Sequence, residues 1–275
     1  MNRLADIFQQ ARSEDRAALI GYLPAGFPNV PASIEQMKTI VAGGVDLVEV
    51  GLPFSDPMMD GPTIQDAADT ALTNGFRVAD IFDIIRELTA SGGNAVVMSY
   101  WNPILQYGPQ RFAEELAASG GLGTIIPDLI PEQAGPWLDA AEANGLANIM
   151  LVAPSSKDER LKLTAQTSSG FVYATSHMGV TGTQTTISDA AETLVQRTRQ
   201  FTDTPVCVGL GISNGTQAHQ VAQYADGVIV GSALIKAAMA DKTGEGEATE
   251  SQLLDLAREL RDGCQRELLR QRAHC

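Results

Sequence analysis

Residues 45–65 read VDLVEVGLPFSDPMMDGPTIQ, and this stretch decides the fold. Val45 to Val50 has the length and branched apolar content of a strand buried on both faces. Glu49 falls one residue before its end and, by the two-residue period, shares a face with Val45 and Leu47. A glutamate there loses its hydration and needs a partner or a task. Gly51 and Pro53 end the strand, Ser55-Asp56-Pro57 reads as a turn, and Asp60-Gly61-Pro62 leads into a helix with proline in its first turn. Taken alone, Asp60 reads as a turn or cap residue. Glu49 reads as half of a buried ion pair or as a catalytic group. No Lys or Arg occurs between Lys38 and Arg77, so a local ion pair is unavailable and only a distant cation could supply one. Two carboxylates in unlike surroundings suit acid–base chemistry, because burial raises one pKa while solvent holds the other low.

Outward from this stretch, strand and helix patterns alternate. Strands are predicted over 18–23, 45–50, 95–100, 123–127, 148–152, 171–175, 205–209 and 227–231. Eight such units with short connections predict a parallel sheet closed into a single (β/α)8 barrel over residues 1–275. Leu4, Ile7, Phe8 and Ala11 recur at helical spacing and predict an extra N-terminal helix. Leu253, Leu256, Leu260, Cys264 and Leu268 do the same for a closing helix, and the charged, glycine-bearing 241–250 reads as the flexible piece before it.

The net charge of −14 argues against nucleic acid or an anionic membrane as partner. Three cysteines (Cys207, Cys264, Cys275) and three histidines (His177, His219, His274) lack metal-ligand spacing, which predicts no metal and suits a reducing cytoplasm. Asp6 interrupts any apolar core of a secretory signal, and no stretch reaches membrane-spanning length.

In a barrel the chemistry sits where strands end. Glu49 meets that condition. Tyr22, Tyr100, Ile125 or Ile126, and Tyr173 are candidates for pocket walls; Trp101 reads as core and Asp128 as a residue that fixes a loop. Gly209-Leu210-Gly211-Ile212-Ser213 follows the seventh strand, and Gly231-Ser232 ends the eighth. Glycine turns at the last two strands, each opening a helix, form a candidate phosphate cradle of oriented amides. No Lys or Arg lies between Arg199 and Lys236, so the cradle would work without net positive charge. From composition alone, Ser176 to Thr183 reads as an ordinary surface loop.

The run EVGLPFSDPMMDGPTIQ, followed in order by SYWNPILQYG, PDLIPEQA, LVAPSS, YATSHMGVTG, GLGIS and VIVGSAL, resembles the tryptophan synthase α subunit family over nearly the whole chain. The resemblance implies a lyase that cleaves indole-3-glycerol phosphate to indole and glyceraldehyde 3-phosphate in tryptophan biosynthesis. Glu49 and Asp60 would be catalytic. Tyr22, Tyr100, Tyr173, Thr181, Gly182, Gly211, Ile212, Gly231 and Ser232 would contact substrate. The segment with Thr181 and Gly182 would be a lid, Thr181 reaching Asp60 and Gly182 the phosphate. The reaction would need no cofactor. Pyridoxal phosphate would belong to a partner β subunit in an α2β2 heterotetramer, docked on the catalytic face where Pro53, Pro57, Met58, Met59, Trp101, Pro103 and Tyr107 lie. The chain departs from the family pattern at Met59, where a small residue is usual, and at His177, where arginine is usual.

Rival readings meet obstacles in the sequence. Lys38, Lys157, Lys162, Lys236 and Lys242 fall on predicted helices or loops, away from the strand ends a Schiff-base aldolase needs. A metal-dependent aldolase lacks its histidine cluster. A non-catalytic binding barrel, a sugar-phosphate epimerase or another indole-pathway barrel stay open.

Overall fold

The computed structural model describes residues 3–175, 189–209, 211–239 and 246–266. The nine strand segments are β1 (Ala18–Pro24), β2 (Leu47–Gly51), β3 (Ala95–Met98), β4 (Gly123–Ile125), β5 (Ala147–Ile149), β6 (Leu151–Val152), β7 (Val172–Thr175), β8 (Val206–Gly209) and β9 (Gly227–Val230). All pair in parallel, in the order β5-β4-β3-β2-β1-β9-β8-β7-β6. The eight expected strands become nine because the stretch from Ala147 to Val152 is interrupted at Met150. Its first half pairs with β4 and its second half with β7, so this one stretch closes the ring. The Met150 carbonyl accepts from the Tyr173 amide (3.0 Å), while its own N–H goes to the Ser168 hydroxyl (3.0 Å).

Helix α1 (Arg3–Ser13) stoppers the N-terminal end of the barrel. Leu4, Ile7, Phe8 and Ala11 pack with Ala18, Ile20, Leu47, Val96, Ile149, Phe171, Cys207 and Ile229 in an interior cluster. The Phe8 and Phe171 rings lie 5.7 Å apart. The alternate strand residues, Val48 and Val50 among them, face outward into the larger core beneath the helices. Val45 belongs to that outer core and does not share the face of Glu49 as the two-residue period predicts. The period holds only in extended backbone, which starts at Leu47, and Gly44 before it turns at φ +100°.

Two helices separate β2 from β3: α2 (Pro62–Thr73) begins at the expected proline, and α3 (Asp80–Ala90) follows. Beyond β3, α4 (Trp101–Tyr107) starts at once, so Tyr100 caps a helix and does not end a strand. The closing helix, α5 (Gly246–Gly263), buries Leu253, Ala257, Leu260 and, just after its end, Cys264. It takes in 246–250, half of the segment expected to be flexible; 241–245 and Leu268 lie outside the described residues. At the base, Arg16 is 2% exposed and grips Asp46 with both guanidinium amines (2.6 and 2.8 Å). The distant arginine that reaches the strand therefore pairs with Asp46, three residues before Glu49.

Candidate active site

Glu49 is the middle residue of β2 and points into the barrel above the Leu47 layer. Its lateral neighbours are Tyr22 on β1 and Val96 on β3. It is 1% exposed, has no cation against it, and its Oε2 finds no hydrogen-bond partner among the described residues. Burial, helped by the negative charge of Asp60, pushes its carboxyl up to about 8. At neutral pH this group carries its proton.

Asp60 stands on the loop between β2 and α2 and folds back so that only 9% is exposed. Tyr100 is the clamp: its hydroxyl accepts from the Met59 amide (2.9 Å) and donates to Asp60 Oδ1 (3.2 Å). Gln65 Nε2 donates to the Asp60 carbonyl (2.7 Å), tying the loop to the first turn of α2. Burial raises the Asp60 carboxyl while the Tyr100 hydrogen bond pulls it back down. Expected as a pocket wall, Tyr100 is 4% exposed and gives its hydroxyl to the loop, a role that no residue spacing signals. Asp128 does fix a loop, accepting from the Trp101 amide (2.8 Å).

Two tyrosines line the interior, each leaning over a glycine of the next strand. A Cβ on Gly51 would lie 2.2 Å from the Tyr22 hydroxyl, and one on Gly209 would lie 2.3 Å from the Tyr173 hydroxyl. Any side chain there would push the rings off the walls. The fields of Asp60, Glu49, Tyr100 and Tyr173 all reach Tyr22, and that of Glu49 reaches Tyr173, so these residues share one site.

The glycine turns sit beside it. Gly211 has φ +67°, the left-handed region that favours glycine, and Ile212 is buried behind it. Asn214 caps α6 (Gly215–Ala222), its side chain accepting from the Gln217 amide (3.0 Å). Ser213 gives both its amide and its hydroxyl to Gln217 Oε1 (2.8 and 3.0 Å). Gly231 precedes α7 (Ser232–Met239). Two helix N-termini thus follow the neighbouring strands β8 and β9. Leu210, His177, Thr181 and Gly182 lie outside the described residues. Among the described residues, no group of three or more His, Cys, Asp and Glu could hold a metal ion.

On the outer side of this face Met58 is 72% exposed, and Leu105 and Ile130 are also exposed. Pro53, expected on the surface, is buried. Only the buried Leu52 separates it from the last strand residue, so the loop leaves the barrel beyond it.

A model of the tryptophan synthase alpha chain family matches residues 8–265. The chain belongs to that family. The tryptophan synthase alpha chain of Mycobacteroides abscessus is 58% identical over 236 residues, covering 86% of this chain and 90% of the relative. Among solved structures, a chain of tryptophan synthase from Mycobacterium tuberculosis superposes with a TM-score of 0.90 at 52% identity, covering 96% of this chain and 98% of its own. The tryptophan synthase subunit alpha of Legionella pneumophila superposes at 0.86 with 30% identity, over 96% and 98% of the two chains. The fold is therefore the family's barrel, and the family is one of lyases in tryptophan biosynthesis.

Proposed function

We infer that the chain cleaves indole-3-glycerol phosphate by a retro-aldol reaction, giving indole and glyceraldehyde 3-phosphate. The observation that carries the residue assignment is Glu49: a carboxyl buried without a cation, held protonated at neutral pH, at the centre of a barrel mouth. Its proton passes to the indole ring carbon that bears the side chain. The resulting cation spreads to the indole N–H, where Asp60 accepts the hydrogen bond. Glu49, now a carboxylate, takes the proton of the adjacent side-chain hydroxyl. The carbon–carbon bond breaks, its electrons restore the aromatic ring, and the hydroxyl oxygen becomes the aldehyde carbonyl. Glu49 ends with a proton, as it began, and the protonated indole ring serves as electron sink without a cofactor.

The glycine turn at Gly211–Ile212 and the helix N-terminus at Gly231–Ser232 hold the phosphate through amides and the Ser232 hydroxyl, which fits a chain of net charge −14. Tyr22 and Tyr173 border the ring system. Thr181 and Gly182 complete the site as a lid over Asp60 and the phosphate. Met58 and its exposed apolar neighbours form the docking face for a β subunit that carries pyridoxal phosphate and receives the indole, in an α2β2 assembly of the cytoplasm. No helix of the described residues is long and apolar enough to cross a membrane. Incubation with indole-3-glycerol phosphate and detection of free indole and the triose phosphate tests the reading. Triose phosphate without indole, or neither product, would contradict it.

A further inference from the structure

The Tyr22 hydroxyl stands inside the barrel with no hydrogen bond to a described residue. Tyr22 is 8% exposed, and no described residue satisfies Glu49 Oε2 either. A fully buried carboxyl oxygen left open is costly unless something answers it, and the Tyr22 hydroxyl beside it is free to serve the same ligand. They are paired by the fold: Tyr22 and Glu49 are register partners on adjacent parallel strands. The Tyr22 ring leans over Gly51, whose Cβ would come within 2.2 Å of the hydroxyl oxygen. Gly51 lies two residues beyond Glu49 on the same face, so the hydroxyl sits on the face of Glu49, one pleat nearer the barrel mouth.

A single group that answers both must accept from tyrosine and donate to a carboxylate, and an alcohol does both. We propose that Tyr22 is a catalytic hydrogen-bond donor to the substrate hydroxyl that Glu49 deprotonates, positioned by its register with Glu49 and by the missing side chain at Gly51. As the O–H proton moves to the Glu49 carboxylate, negative charge develops on that oxygen before the carbon–oxygen double bond forms. The Tyr22 O–H then donates to an oxygen richer in charge than in the bound substrate and keeps its own proton throughout. Such a donor acts mainly on the transition state. The proposal rests on the retro-aldol reading given above.

The test is Tyr22→Phe, which deletes the oxygen and keeps the ring. Indole release should fall at least about 10-fold in kcat with KM changed little, the pattern of an interaction strengthened in the transition state. Because no described residue hydrogen-bonds to the hydroxyl, the melting temperature should stay level or rise by about 1–4 °C. Affinity for indole-3-propyl phosphate, which lacks the side-chain hydroxyls, should be the same in both proteins. Wild-type kcat in Tyr22→Phe would overturn the proposal. So would a kcat loss that comes with a lower melting temperature, or with equally weakened binding of the hydroxyl-free analogue, since either assigns the effect to ring packing. If the wild-type chain released no indole, the retro-aldol reading itself would fail, a result separate from either.

Discussion

At the residue scale, the unusual feature is a glutamate stored where it destabilises the protein. Its carboxyl lies near 8 in the folded chain against an ordinary 4.5, so between those values the unfolded chain releases the proton while the folded chain keeps it. Stability contributed by this group therefore falls as pH rises through that window and levels off above 8. At about 1.4 kcal/mol per unit the total is on the order of several kcal/mol. Glu49→Gln removes the slope. Its melting temperature should exceed that of the wild type at pH 8.5, and the gap should close towards pH 5, which thermal unfolding across that range would show. Asp60→Asn keeps the shape and the Tyr100 contact but removes the charge facing the indole N–H, so turnover should fall about 10²-fold or more while binding of glycerol phosphate persists. Collapse of that binding would make Asp60 a structural residue. Both carboxylates were legible in the sequence as a strand acid and a loop acid, although Glu49 proves to be mid-strand because the strand starts at Leu47 and runs on to Gly51. The Tyr100 clamp was not, because the hydrogen bonds joining it to Met59 and Asp60 span about forty residues that the fold alone brings together.

At the scale of elements, two features set where those side chains stand. The strands end in glycines that admit tyrosine rings, and Gly51→Ala should collide with the Tyr22 hydroxyl and ring, lowering both activity and stability, the latter by about 1–3 kcal/mol. The base of β1 and β2 is held by the buried Arg16–Asp46 pair, with the Leu19 amide also donating to Asp46 (2.8 Å). Arg16→Met leaves that carboxylate unpaired and should cost about 3–5 kcal/mol in denaturant unfolding, without moving the pH dependence of turnover. The strand cores were readable from their apolar runs, and α1 from its three-and-four spacing. Their ends were not: Ala95–Met98 stops two residues short of the predicted boundary because Asp128, from another loop, fixes the Trp101 amide and starts a helix there. The break at Met150 depends on pairing with two different neighbours, which local sequence does not encode.

For the whole molecule, the barrel places the acid, the cradle glycines and the exposed Met58 loop at one end, while α1 closes the other. The loop that carries Met58 also carries Asp60, so a partner seated on Met58 would act on the placing of Asp60. Titration of a purified β subunit should raise the rate of indole release well above that of the isolated chain. A flat rate in a complex that demonstrably forms would disconnect docking from catalysis. The central claim, that one buried carboxyl handles the protons of a retro-aldol cleavage, is tested most directly by measuring indole release from indole-3-glycerol phosphate by the wild type and Glu49→Gln, with substrate binding by calorimetry. The account predicts free indole from the wild type, a loss of about 10²–10⁴-fold or more in the variant, and binding retained in both. A folded Glu49→Gln protein that released indole at the wild-type rate would contradict it.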